Sequence, residues 1–230
     1  MIIVDSFDAI TLVGGANPRP ADITTALSHA PILVAADGGA DAVLAMSLRP
    51  RAVIGDMDSL GAAARHAFAD CLHPVAEQST TDFEKCLIRV AAPLIVAVGF
   101  SGGRLDHTLA VLNVLARYRD RMVILLGPDD TSFLVPQGHV GLDLPLGMRL
   151  SLLPLADVRG DTRGLRWPVS DAAMHPTGFI SPSNEVAAPH VEIRATGPLL
   201  VSLPPVALPS VIAAVRRNDA VGVARSGSDL

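Results

Sequence analysis

Two carboxylates stand two residues apart in Val53-Ile54-Gly55-Asp56-Met57-Asp58-Ser59, directly after an apolar run and a glycine. On an extended or turning backbone such a pair aims both side chains roughly the same way. Hard oxygens at that spacing suit Mg²⁺, which keeps waters and takes phosphate oxygens as its remaining ligands. A structural account competes, in which Asp56 closes a turn while Asp58 or Ser59 caps a helix starting at Leu60.

Four more clusters of this flavour follow apolar runs. In Gly14-Gly15-Ala16-Asn17 the glycines either let backbone N–H groups approach a phosphate or make a tight turn. In Asp37-Gly38-Gly39-Ala40-Asp41 an acid and two glycines admit a ligand, or Asp37 only favours a helix dipole. In Ser79-Thr80-Thr81-Asp82-Phe83-Glu84-Lys85, Thr81 and Glu84 form a capping box. That leaves Asp82 to face a metal and Lys85 to reach a phosphate, or both to lie on a solvated face. In the stretch 99–107, Arg104 offers a forked donor suited to phosphate, and Asp106 and His107 sit where the next helix begins. A buried histidine satisfied by a backbone carbonyl is the plainer reading of His107.

These clusters need a scaffold that brings them together. Apolar runs at 10–13, 32–36, 52–54, 94–98 and 122–126 read as short buried strands, and 39–48, 60–72, 82–91 and 105–119 read as helices. That alternation predicts an α/β domain with a mostly parallel sheet covered on both faces, whose ligands bind beyond the carboxyl ends of the strands. From about residue 127 Pro and Gly recur, and short candidates at 148–153, 190–195 and 199–203 predict a smaller antiparallel β-sandwich. The boundary falls near residue 128, giving domains 1–128 and 129–230. A helical pattern returns only after Pro209, and the last ten residues read as frayed.

Composition narrows the classes of partner. Half of the 230 residues are hydrophobic, 18% are charged and the net charge is −5, so there is no global basic footprint for nucleic acid or an anionic membrane. The start lacks a signal-like pattern and no apolar run approaches a membrane span, which predicts a soluble cytoplasmic protein. Cys71 and Cys86 make no disulfide framework, and neither they nor the seven scattered His have zinc-site spacing. Neither a G-x-x-x-x-G-K-[ST] loop nor a G-x-G-x-x-G fingerprint occurs. Acids, glycines, one Arg and one Lys at strand ends still suggest a Mg-nucleotide site.

In order and spacing, "ADGGA", "GDMDS", "TTDFEKCL", "GGRLDH", "SLLPL", "GLRWPV" and "SNEV" together resemble the thiamine pyrophosphokinase family over about Gly14 to Leu203. The resemblance implies an N-terminal α/β domain, a C-terminal β-sandwich and a homodimer with its active site between subunits. It implies the reaction of ATP with thiamine to give AMP and thiamine diphosphate. Asp56 and Asp58 would hold Mg²⁺, with Asp82 nearby as a third ligand. Lys85 and Arg104 would oppose phosphate charge, and Asp106 would orient thiamine or its hydroxyl. Gly14, Gly15, Asp37, Gly38, Gly39, Gln78 and His107 would line the nucleotide side, and Ser183 and Asn184 would lie near thiamine across the dimer interface. Where the family often has D-Q-D or D-Q-N, this chain has Glu77-Gln78-Ser79, so Ser79 removes a possible ligand. The tail after Leu203 has no counterpart and suits a terminal helix or an added dimer contact. Two alternatives stand beside this: another metal-dependent nucleotide-processing enzyme, and a non-catalytic thiamine- or nucleotide-binding regulator on the same scaffold.

Overall fold

The computed structural model describes residues 1–226, with side chains described to residue 217. The last ten residues, expected to be frayed, are helical as far as Ser226, and 227–230 lie outside the described residues. The chain forms two compact units, Met1–Leu115 with Val123–Pro128, and Ala116–Met122 with the chain from Asp129 on.

The first unit runs β1 (Val4–Asp5), β2 (Ile10–Val13), α1 (Pro20–His29), β3 (Ile32–Ala36), α2 (Gly39–Ala45), β4 (Ala52–Gly55), α3 (Ala62–Ala67) and β5 (Leu72–Pro74). It continues through α4 (Asp82–Leu87), β6 (Val90–Ala91), β7 (Ile95–Val98), α5 (Leu105–Arg117), which ends in the second unit, and β8 (Val123–Leu126). Its main sheet has the order β8-β7-β2-β3-β4-β5, every pair parallel. Strands β2, β4, β7 and β8 are buried at every position, which is why they read as unbroken apolar runs. The short β1 pairs in parallel with β6 as a separate ribbon.

Three local expectations are corrected. The sequence reading has no helix between the runs at 10–13 and 32–36, yet α1 lies there, between β2 and β3, with Pro20 at its first turn, where the missing N–H costs no hydrogen bond. Parallel β2 and β3 require such a crossover. The 60–72 helix shrinks to α3, with Gly61 rather than Ser59 at its N-cap, and the chain then turns into β5, which pairs with β4. The 82–91 helix ends at Leu87 because Val90 and Ala91 are drawn into the ribbon with β1.

The second unit carries β9 (Thr131–Leu134), β10 (His139–Asp143), β11 (Arg149–Pro154), β12 (Val158–Arg163), β13 (Ala172–Met174), β14 (Ser181–Glu185), β15 (His190–Ala195), β16 (Leu199–Leu203) and α6 (Leu208–Ser226). It forms two antiparallel sets of four, β14-β11-β16-β9 and β10-β15-β12-β13. Alternating burial along β10, β12 and β15 marks one covered face, while β16 is buried throughout. The fold is therefore α/β with a parallel sheet followed by an antiparallel β-sandwich. Helix α6 packs on β10, as a terminal helix. Among the described residues no helix is long and apolar enough to cross a membrane.

Candidate active site

Parallel β7, β2, β3 and β4 are neighbours, so the loops that follow them leave the same edge of the sheet. Glycines there make close approach possible. A Cβ on Gly14 would lie 2.6 Å from the Gly99 carbonyl oxygen, and one on Gly39 would lie 2.2 Å from the Val13 carbonyl oxygen. Gly14 and Gly39 are thus required by packing of backbone on backbone. Gly15 is different: its nearest neighbour would be 3.6 Å away, so packing does not demand a glycine.

The β3–β4 register pairs Ala36 with Ile54, which sets Asp37 beside Gly55. A Cβ on Gly55 would meet the Asp37 Cβ at 2.7 Å, so Gly55 is what makes room for this acid. Asp37 is 1% exposed and has φ +39°; Met57, between the paired acids, has φ +68°. Left-handed backbone costs roughly 1–2 kcal/mol at a residue with a Cβ, and such strain gathers at functional sites. The Asp56-Met57-Asp58 segment is a turn rather than an extended strand end. Asp37, Asp56 and Asp58 each offer an oxygen, and these lie within 4.8 Å of one another. Asp37 Oδ1 is buried with no hydrogen-bond partner among the described residues. An all-oxygen donor set with an unsatisfied buried acceptor fits a hard divalent cation such as Mg²⁺.

Lys85 is among the largest fully buried side chains of the described residues, and its Nζ donates to Asp56 Oδ2 at 2.8 Å and Asp82 Oδ1 at 3.1 Å. Burial works against its charge, but the two carboxylates outweigh it and raise the ammonium above its ordinary pKa. The Lys85 hydrogen bond holds Asp56 well below the usual carboxylate range, with further donors at Asp58 N and Gln78 Nε2, the last at 3.1 Å. Burial pushes Asp82 up despite Lys85. Burial also raises Asp37 to about 7, with the Asp82 and Asp56 charges adding to the effect and the Ser59 N–H opposing it.

The sign of the resulting pH dependence follows. Asp37 titrates at an ordinary 3.8 when unfolded and at about 7 when folded, so between these values the folded chain binds the extra proton. Cation-free stability therefore falls as pH rises from about 4 to 7, by on the order of a few kcal/mol, and the cost is fully present above 7. Asp82 acts with the same sign. Asp56, depressed when folded, contributes stability above 3.8 that is lost only as pH falls below it, outside this window. Urea midpoints at pH 5 and pH 8 should show the fall, and Asp37→Asn should flatten it. A wild-type midpoint that rises with pH and ignores Asp37→Asn would contradict this origin.

The loop before α4 is built on Glu77. Its carboxylate accepts from Ser79 N and Oγ at 2.9 and 2.7 Å, from Thr80 N at 3.1 Å and from the Thr80 hydroxyl, which with the Ser79 contacts lowers it to about 2. Ser79 is therefore a member of the turn that presents Gln78 to Asp56. Thr81 caps α4 by accepting from Glu84 N at 3.3 Å.

Arg104 and Asp106 bond to each other. Arg104 Nε and Nη2 donate to Asp106 at 3.1 and 2.6 Å, with both side chains more than 60% exposed. Their pairing raises Arg104 and lowers Asp106. His107 is exposed, which overturns the buried reading. Its N–H donates to Asp106 at 3.0 Å.

In the second unit Ser183 is exposed with φ +55°, and its N–H donates to Ser151 Oγ at 3.0 Å. Asn184 is 2% exposed, and its amide is committed to protein. Nδ2 donates to the Trp167 carbonyl at 2.7 Å and Ser181 Oγ at 3.1 Å, while Oδ1 accepts from Trp167 N and Glu185 N. Asn184 thus shapes the loop holding the exposed Trp167, over which Arg166 stacks at 5.1 Å.

Sequence reasoning put Asp37 on the nucleotide side rather than among the acids that could hold a cation. The signal for its place was Gly55, legible only once β3 and β4 are neighbours. Arg65, which donates to the Met57 carbonyl, carried no signal at all.

The chain is similar to known proteins over both of its units. Residues 23–126 match the family described as thiamin pyrophosphokinase, catalytic domain, and residues 139–200 match thiamin pyrophosphokinase, vitamin B1 binding domain. A relative named thiamine pyrophosphokinase 1 from Arabidopsis thaliana is 30% identical over 206 residues, covering 75% of this chain and 77% of its own. Among solved structures, thiamin pyrophosphokinase from Candida albicans superposes with a TM-score of 0.74 at 16% identity, over 89% of this chain and 95% of that one. The protein from Geobacillus thermodenitrificans gives 0.72 at 23% identity, over 85% and 96%. At these identities the structures speak for the fold.

Proposed function

This chain belongs to the thiamin pyrophosphokinase family, and from that premise we propose that it moves a diphosphoryl group from ATP to the hydroxyl of thiamine. The hydroxyl oxygen bonds to the β-phosphorus as the bond from that phosphorus to the α–β bridging oxygen breaks. AMP leaves with that oxygen, thiamine diphosphate forms, and the hydroxyl proton passes to solvent. Such transfers need alignment and charge neutralisation more than covalent help.

The observation that carries this reading is the convergence of Asp37, Asp56 and Asp58 around a buried, unsatisfied oxygen. These three residues would hold Mg²⁺, with Asp82 beside them, and the bound cation would neutralise and align the phosphate oxygens. Lys85 holds Asp56 and Asp82 in place and adds positive charge. Arg104, once released from Asp106, is a forked phosphate donor, and Asp106 is then free to orient the thiamine hydroxyl. Backbone N–H groups at Gly15, Gly38 and Gly39, with Gly14, Gln78 and His107, line the nucleotide side, the Gly14 N–H itself being bonded to the Val98 carbonyl. Ser183 and the loop tied by Asn184 serve thiamine, whose positive charge suits a carboxylate-rich site.

In this reading residues 1–128 are the catalytic part, and residues 129–230 contribute to thiamine binding and to a cytoplasmic homodimer whose partner completes the site. The test is product analysis with ATP, Mg²⁺ and thiamine. AMP and thiamine diphosphate should appear in equal amounts and stop when the cation is chelated. ADP, or ATP hydrolysis indifferent to thiamine, would overturn the assignment.

A further inference from the structure

Met57 is a long side chain held in left-handed backbone between two acids, and it is only 5% exposed. A turn of that kind persists only where its surroundings over-determine it. The bonds to its flanking residues fall largely on carboxylate oxygens: Asp58 N and Gln78 Nε2 on Asp56, and Ser59 Oγ on Asp58 Oδ1 at 2.9 Å. Those are the atoms a cation would take, so these bonds are weakened or exchanged whenever one binds.

Arg65 contacts the turn in another way. Its Nη2 donates to the carbonyl oxygen of Met57 itself, so this bond does not compete with a cation for a carboxylate oxygen. The arginine stands on α3, whose entry is tied to α2 by the Gly61 N–H donating to Asp41 Oδ2 at 3.0 Å. Gly61 is pressed there, since a Cβ would come 2.4 Å from Asp41 Oδ1. A chain of contacts thus runs from α2 through α3 to the strained peptide.

We propose that Arg65 is a positioning residue for the reaction, holding the Met57 carbonyl so that Asp56 and Asp58 stay convergent for a divalent cation. This rests on the reading of those acids as cation ligands. Arg65 touches neither substrate nor the reacting atoms. Its effect is to keep the ligand oxygens close before the cation arrives, so its loss is felt as weaker cation binding. Thiamine recognition is left alone.

Mn²⁺ serves as the probe, its free concentration read by electron paramagnetic resonance during titration of the full chain without nucleotide. Arg65→Gln should weaken Mn²⁺ binding about tenfold and raise the cation concentration needed for half-maximal turnover by a similar factor. KM for thiamine should stay within about twofold, as expected when substrate binding is untouched. Guanidinium ion added to Arg65→Ala should recover part of the Mn²⁺ affinity. If Arg65→Gln does not fold, Arg65→Lys carries the same test, with a smaller loss because ammonium reaches the carbonyl without the rigid fork. Wild-type Mn²⁺ affinity in these variants, with only a lowered melting temperature, would overturn the proposal. A wild-type chain that binds no Mn²⁺ overturns it together with the cation reading. Wild-type Mn²⁺ binding, weakened in the variants but without thiamine diphosphate formation, would sustain it and sink the substrate assignment alone.

Discussion

Asp56→Asn is expected to lower the rate of thiamine diphosphate formation about a thousandfold, or roughly 4 kcal/mol of barrier. The carboxylate serves two partners at once: it is one of three acids that converge, and it receives the Lys85 ammonium at 2.8 Å. The amide keeps the shape but gives up the charge, so the cation and Lys85 both lose a counter-charge. Asp58→Asn separates the two roles. Asp58 is exposed, and its carboxylate accepts from Ser59 Oγ rather than from Lys85. It should lose turnover to a similar extent with an unchanged melting temperature, whereas Asp56→Asn should lose both. Steady-state assays over a range of Mg²⁺ together with thermal melts give the comparison. Near-normal turnover in both variants would mean that the pair merely closes a turn.

Lys85→Met should be the most destabilising conservative-volume change in the first unit, by about 3 kcal/mol without added cation, because it strips the counter-charge from two carboxylates. The Lys85 side chain is 2% exposed, its ammonium lies between Asp56 and Asp82, and the charges of both act on the buried Asp37. Without Lys85, Asp56 loses the bond that depresses it most and titrates higher. The acids then repel more as pH rises, so the loss should grow from pH 5 to pH 8. Added Mg²⁺ should restore part of the stability by supplying positive charge, while turnover stays down at least a hundredfold, since the charge returns at a different place. Urea unfolding with and without Mg²⁺ reads the first effect and product formation the second. A variant as stable as the wild type without cation would show that Lys85 is not needed to offset the acids.

The two substitutions separate what was legible in the chain from what was not. Asp56 and Asp58 announced themselves by spacing, and Lys85 by its place in a first helical turn. That Lys85 is buried, and that its ammonium crosses to a residue 29 positions earlier, is a consequence of α4 packing on β4. Arg104, Asp106 and His107 read as part of the same set, yet the described structure keeps them as an exposed group bonded to one another. Asn184 read as a ligand contact, yet its amide is spent on the Trp167 backbone. Residue type is local information, and a side chain's partners are not.

By itself the sequence determined the order of a parallel α/β part followed by antiparallel strands, though not the α1 crossover or the strand at Leu72–Pro74, and the runs at Ile10–Val13, Ile32–Ala36, His190–Ala195 and Leu199–Leu203 match their elements end to end. Burial writes itself into apolar periodicity, and periodicity is carried by neighbours in the chain. It also determined the acid and glycine clusters. Only the tertiary structure decided which acids share a site: β3 and β4 lie side by side with Ala36 opposite Ile54, and Gly55 leaves space for Asp37 to join Asp56 and Asp58. It likewise decided that Met57 is left-handed and that Arg65, on another helix, holds its carbonyl. Strand adjacency and backbone strain are settled by contacts between residues far apart in sequence, and no window of neighbouring residues contains them.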